Sequence, residues 1–301
     1  MPNNTGTDSR RATLAAVVCH TCWGFSFLAS RTALNSAHVV VLLSHRFLLS
    51  FLLMHLAFGK VKTRRWTGRQ LVLMILLGLA QPVLYFFGEQ FGLLHSSTIF
   101  SGVMIAMIPV ASTLAAAVFL REKPTLGQIC FSLISVGGVI GIGLLSGSSG
   151  TLDWIGFLML LLAVSSAAAY TLLSRNLSRE CSPFSRTYVM MGVGAVTFTA
   201  LALFQCQGDV SDYVRPLREL PYVLSVLFLA GFCSVLSFFC SSYAITKLPV
   251  ARETVFSNLT TLVSVIAGVV FLHESFTWLG AVFCLLILVG IYGVQRTAGS
   301  N

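Results

Sequence analysis

A polar corner set between two apolar runs occurs twice in this chain. Ser112 to Gly141 reads STLAAAVFLREKPTLGQICFSLISVGGVIG; Ser264 to Gly293, 152 residues on, reads SVIAGVVFLHESFTWLGAVFCLLILVGIYG. Eleven of the 30 aligned positions are identical, among them Phe119/Phe271, Leu120/Leu272, Glu122/Glu274, Thr125/Thr277 and Gly141/Gly293. Shared apolar composition explains part of the match, but not a common corner F-L-x-E-x-x-T. Each copy predicts a helical hairpin in a membrane, and the repeat predicts a chain built of two similar halves.

Composition supports the membrane. Of 301 residues, 56% are hydrophobic and only 10% are charged, against about 25% charged in a soluble domain. Too few polar groups remain to cover a surface in water. The net charge of +9 could suggest nucleic acid. No basic patch is interleaved with aromatics as strand binding requires, however, so no nucleic-acid partner is expected. Arg10 and Arg11 precede an apolar run that continues into a full span without an A-x-A site, which predicts a first helix rather than a cleaved signal. Of the eight cysteines, six lie in apolar runs, while Cys181 and Cys206 fall in loops on opposite sides. Cys19-x-x-Cys22 has redox or metal spacing but no second pair, so it reads as small packing residues. No cofactor and no metal are expected.

A span needs roughly 20 apolar residues. Ten such runs are predicted, at about 12–31, 38–58, 70–91, 96–120, 125–145, 152–174, 184–205, 219–246, 249–272 and 276–295. The fold class is therefore all-α and integral to the membrane. The Gly/Ser stretch Ser146–Gly150 separates two five-helix halves, 12–146 and 152–296. With the N-terminus inside, fifteen Lys and Arg lie in inner segments and three (Arg31, Arg215, Arg218) in outer ones, with Arg46 within a span. This bias predicts cytoplasmic termini. An odd number of spans per half then makes the repeats inverted about an axis in the membrane plane.

Several motifs resemble those of one family. Trp23-Gly24 with Ser30-Arg31, His45-Arg46-Phe47, Phe86-Phe87-Gly88-Glu89 followed by Ser96-Ser97-Thr98, Phe119-Leu120-Arg121-Glu122 and Val255-Phe256-Ser257-Asn258-Leu259 stand in the order found in EamA-type exporters of the drug/metabolite transporter superfamily. The likeness covers about 12–296. It departs where Arg121 and His273 replace a corner glycine, where Thr261 replaces a proline that Pro109 keeps, and where Ala167 stands opposite Trp23. The resemblance implies ten helices in two inverted repeats and export of small metabolites.

A charge within a span is costly and usually functional. Arg46 lies roughly 12 Å from the outer end of its predicted span, which favours a partner inside the bundle over snorkelling. Gln81, Tyr85 and Glu89 fall at i, i+4 and i+8 beside Pro82, so one stripe is polar. Glu89 is either a proton- or substrate-sensitive carboxylate or a cap in the headgroup region. His20 is near mid-span with Trp23 and Phe27 on its face. These aromatics, with Tyr85 and Tyr170, would suit an apolar or aromatic side chain. The repeat maps Glu89 onto Ser241 and Glu253 onto Ser101, so the acidic groups sit one near each mouth. Asn258, deeper than Glu253, can donate and accept without ionising. Glu122 and Glu274 are expected to hold a turn or cap the helix that follows.

These readings converge on a transporter, not an enzyme, that exports amino acids or related amphipathic metabolites by alternating access. The expected partners are the lipid bilayer, a small-molecule substrate and protons. The expected setting is the bacterial cytoplasmic membrane, as a monomer or homodimer. An antiporter of phosphorylated metabolites or nucleotide sugars needs several deep basic residues, where the spans show only Arg46. An intramembrane enzyme needs a nucleophile–base pair or ligand cluster, where His20, His45 and Glu89 are scattered. A flippase accessory subunit would resemble one half, not two.

Overall fold

The computed structural model describes residues 5–58, 66–119, 124–148, 153–177, 180–247 and 256–298. Every regular element among them is helical. Among the described residues, eight helices are long and apolar enough to cross a membrane: α1 (Arg10–Leu34), α2 (Val39–Leu56), α3 (Gly68–Leu94), α4 (Thr98–Ala115), α5 (Leu126–Leu145), α6 (Trp154–Ser174), α7 (Phe184–Gln205) and α8 (Leu220–Ser241). The helices α9 (Ser257–Leu272) and α10 (Trp278–Ala298) carry shorter apolar stretches. The outside of the bundle is apolar, with Leu56, Leu133, Leu144 and Leu285 exposed. Arg46, Glu89, Gln90 and His45 are buried instead. This distribution suits a solvent of lipid, in which polar groups find partners only inside the bundle.

Three helices are interrupted, each for a local reason. Pro82 has no N–H to donate, and the residue before a proline is pushed out of the helical region. Gln81 accordingly takes φ −145°, ψ 118° and breaks α3 in two. Gly194 of α7 leaves room for the ring, since a Cβ there would lie 2.7 Å from Pro82 Cγ. Pro109 likewise deprives the Ile105 carbonyl of its donor, and α4 pauses between Ile105 and Ile108. In α8 the turns widen over Phe228–Leu236 into π-helical geometry. That frees the Cys233 carbonyl, which accepts from Trp23 Nε1 at 3.0 Å.

The repeat is visible as an exchanged contact. A Cβ at Gly141 of α5 would collide with the ring of Phe283, and a Cβ at Gly293 of α10 with the ring of Phe131. Gly138 lies against Ile287 and the Phe283 carbonyl, and Gly290 against Ser135 and the Phe131 carbonyl. Each pair becomes the other when 152 is added to or subtracted from its numbers. The α5–α10 packing is therefore self-complementary, as a two-fold relation demands. Small residues let the two backbones approach.

The corner motif divides its labour differently from the sequence expectation. Thr125 and Thr277 cap the following helices, through Gln128 N–H to Thr125 Oγ1 at 3.2 Å and Gly280 N–H to Thr277 Oγ1 at 3.2 Å. His273 takes a left-handed φ of 53°, turning the chain so that Glu274 points across the bundle. Its carboxylate accepts from Thr98 N at 2.7 Å and Ile99 N at 3.0 Å, capping α4 rather than α10. Glu122 lies outside the described residues.

The same end of the bundle is tied at three more places. Arg31 Nη1 donates to the Leu93 and Ser96 carbonyls, closing the C-terminus of α3. Ser96 Oγ and Ser101 Oγ lie 2.8 Å apart. Asp153 accepts from Gly156 N at 2.7 Å and pairs with His95 Nδ1 at 2.9 Å. The Gly156 amide above all, and then His95, hold the Asp153 carboxyl below its usual range.

Candidate functional site

A cavity of about 380 Å³ lies at the centre of the bundle. Residues from α1 (His20, Trp23, Ser26, Phe27), α2 (Arg46), α3 (Gln81, Tyr85, Phe86, Glu89) and α4 form one side of its lining. The others come from α6 (Tyr170, Thr171, Ser174), α7 (Arg186, Thr187), α8 (Phe238, Ser241) and α9 (Thr260, Thr261). Four pairs of lining residues are related by the repeat offset of 152: Phe86/Phe238, Glu89/Ser241, Ile108/Thr260 and Pro109/Thr261. The cavity thus sits between the repeats, where repeat-built transporters hold their substrates.

Glu89 forms one pole. The apolar run predicts a span that ends at about residue 91, which places Glu89 close to the headgroups. In the structure α3 runs on to Leu94, and Glu89 is 4% exposed. Its Oε1 accepts from Tyr85 OH at 2.9 Å, and its Oε2 from Gln90 Nε2 at 2.9 Å. The break at Gln81 prevents a continuous i, i+4, i+8 stripe, yet Gln81, Tyr85 and Glu89 still line one cavity.

Arg46 forms the opposite pole. Its Nε donates to Ser234 Oγ at 3.2 Å, and its guanidinium lies over Phe86, 4.3 Å from the ring centroid. The side chain is 2% exposed. The partner that Arg46 finds inside the bundle is Ser234, and among the described residues neither Arg46 nor Glu89 takes part in an ion pair. Ser234 and Phe86 hold the arginine, while Tyr85 and Gln90 hold the carboxylate. Opposite charges consequently face the same cavity within each other's field but without a direct contact.

Aromatic rings and small hydroxyls complete the wall. Trp23 is fixed by its bond to the Cys233 carbonyl and packs edge-on against Phe238, centroids 5.9 Å apart. His20 lies edge-on to Trp23 at 5.3 Å, and its Nδ1 is 3.0 Å from Thr260 Oγ1. Thr261 Oγ1 is buried and has no hydrogen-bond partner. At the α6–α7 end, Arg186 Nη1 donates to the Ser174 hydroxyl and to the Ser174 carbonyl.

His20, Trp23, Phe27, Arg46, Gln81, Tyr85, Glu89, Tyr170 and Ser241 thus meet in one cavity. Ser101 does not. It is fully buried against Ser96, on the stretch of α4 where Gly102 meets Ser264 of α9. Asn258 belongs to α9, but its side chain lies outside the described residues, as does the whole of Glu253. Sequence reasoning missed Thr260 and Thr261, although the repeat maps them onto Ile108 and Pro109. It also counted Arg186 only among the inner charges. The available signal was its place in the first turn of a helix, the end disfavoured for a cation.

Comparison with known proteins agrees with this architecture. A crystal structure 19% identical to the chain superposes with a TM-score of 0.64, covering 96% of this chain and 99% of the other, which shows a shared fold. The uncharacterized transporter YcxC of Bacillus subtilis (strain 168) is 32% identical over 289 residues, 94% of this chain and 92% of its own. A protein of Streptantibioticus cattleyicolor named as a probable terminal-alkyne amino-acid exporter is 26% identical over 282 residues, 93% of this chain and 89% of its own. The family described as EamA-like transporters matches twice, at residues 10–144 and 154–296. The chain belongs to the EamA-like transporter family and is a multi-pass membrane transporter, not an enzyme.

Proposed function

We propose that this transporter exports amino acids or closely related amphipathic metabolites from the cytoplasm of a bacterial cell by alternating access. The observation that carries the reading is the unpaired placement of Arg46 and Glu89 in one aromatic-walled cavity. A zwitterion satisfies both poles at once, its carboxylate on the guanidinium and its ammonium on the carboxylate. Trp23, Phe27 and Phe238 then receive an apolar or aromatic side chain. The printed function of the Streptantibioticus relative is consistent with this substrate class.

The carrier has ten spans in two inverted halves, 12–146 and 152–296, with both termini in the cytoplasm. The exchanged α5–α10 contacts support the two-fold relation, and the fifteen-to-three bias supports the orientation. In that orientation the ties made by Glu274, Arg31 and Asp153 seal the outer end. The cavity reaches the inner ends of α6, α7 and α8, so the conformation faces inward. Protons are the proposed coupling ion, with Glu89 as their acceptor.

Two measurements test this reading. A reporter active only outside the cytoplasm, fused after Asn301, is expected to be silent; a strong signal there would reverse the orientation. Proteoliposomes offered a pool of labelled amino acids, with and without a pH gradient, are expected to accumulate members with apolar or aromatic side chains, and more of them with the gradient. Uptake of none removes the substrate class.

A further inference from the structure

We propose that Arg186 is a second carboxylate-binding station, at the cytoplasmic mouth of the cavity, which receives the substrate before Arg46 does. The proposal rests on the transport reading above and adds an entry step to it.

Arg186 has one structural contact, Nη1 on the Ser174 carbonyl in the last turn of α6, but the end of its own helix disfavours it. Ser182 caps α7 by accepting from Ser185 N at 3.1 Å, so Arg186 stands in the first turn, where the helix dipole repels a cation. No carboxylate among the described residues offsets that charge. One side of the guanidinium is occupied, since Nη1 is held by the Ser174 hydroxyl and carbonyl. The other side is not. Nε is buried without an acceptor, and no hydrogen bond within the described residues engages Nη2. An enclosed donor left unmade costs free energy that an arriving acceptor recovers. The free Nε–Nη2 edge carries two parallel N–H groups, the geometry that a carboxylate takes in two-pronged fashion. Ser174 meanwhile fixes the plane of the guanidinium, so little order is lost on binding.

Chemistry narrows the ligand. Arg186 and Arg46 line the same cavity with Glu89, giving two cations and one anion. A substrate with one carboxylate can be passed from the mouth to the deeper arginine while its ammonium moves toward Glu89. A phosphate ester would bring a second negative charge against Glu89, and that repulsion disfavours it. Tyr170 and Thr171, on the same stretch of α6 as Ser174, supply an aromatic face and a hydroxyl beside the station.

The experiment uses everted membrane vesicles, in which the cytoplasmic face is outward, loaded with unlabelled phenylalanine and offered labelled phenylalanine. Arg186→Gln is expected to raise KM about ten-fold, as loss of a charged hydrogen-bonding partner would, with kcat within about two-fold. Arg186→Lys, which keeps the charge but not the fork, is expected to fall between. Inhibition by 3-phenylpropionate, which has only the carboxylate, should weaken about ten-fold in Arg186→Gln. Inhibition by phenethylamine, which has only the ammonium, should not change. Wild-type KM in both variants, or equal weakening of both inhibitors, overturns the station. If Arg186→Gln does not accumulate in the membrane, the Arg186→Lys values decide alone. Absence of exchange in the wild-type vesicles removes the transport reading and the station with it.

Discussion

Replacing Arg46 with alanine is expected to lower transport at least about 100-fold, the largest single effect in the molecule. Two charge-assisted hydrogen bonds to a substrate carboxylate are lost together, each worth about 1.5–3 kcal/mol, and about 1.4 kcal/mol is ten-fold in an equilibrium. The substrate carboxylate would then enter a buried site with nothing to pair it. Arg46→Lys is expected to retain part of the activity, because an ammonium keeps the charge without the planar fork or the stacking on Phe86. Arg46→Gln provides a check on folding, since its amide can still reach toward Ser234. Purified variants are to be compared by counterflow and by thermal unfolding in detergent. Wild-type rates in Arg46→Ala would show that the arginine only packs the bundle.

Glu89→Gln is expected to separate exchange from drive. The substitution is nearly isosteric, and the surroundings can absorb it. Either Tyr85 OH turns to accept from the new amide, or the Gln90 amide flips to bring forward its Oε1, which has no partner now; the other neighbour goes on donating to the amide oxygen. The fold should survive while the ionisable group is gone. Counterflow needs no gradient and should persist with KM raised about ten-fold, because the amide oxygen still accepts from the substrate ammonium but without the charge. Accumulation against a concentration gradient under an imposed pH difference should disappear. If accumulation survives, Glu89 is not the proton acceptor, and the protein runs down its substrate's own gradient. If counterflow is lost as well, the carboxylate is indispensable for binding the ammonium.

The all-helical membrane class was legible in the sequence because membrane constraints are strong and simple. Apolar length, cation bias and an offset of 152 predicted the spans and halves, and the same offset later matched contacts such as Gly141–Phe283 and Gly293–Phe131. Part of the cavity wall was legible for a related reason. A buried charge such as Arg46 or Glu89 is rare enough in a span to announce itself. What stayed hidden was side-chain direction across sequence distance. Nothing local shows that Glu274 reaches Thr98 rather than its own helix, because that depends on the left-handed turn at His273. Nothing local shows that Arg46 and Glu89 stay apart, because that depends on Ser234 and Gln90, 188 positions along the chain in one case and adjacent in the other. Arg186 was obscured by its place among the inner charges, where the orientation rule accounts for any cation without asking what it faces. Ser101 shows the opposite error. Its repeat relation to Glu253 points to the pathway, while its actual partner is the Ser96 hydroxyl.

The central claim is that one cavity binds a zwitterion between Arg46 and Glu89 and presents it alternately to the two sides. Counterflow tests it most directly. Proteoliposomes holding wild-type protein and excess unlabelled phenylalanine are diluted into a trace of labelled phenylalanine, with no ion gradient. The account predicts a transient overshoot of internal label, absent from protein-free liposomes and abolished by Arg46→Ala. No overshoot with phenylalanine or with any other apolar amino acid, or an overshoot that Arg46→Ala leaves intact, would contradict it.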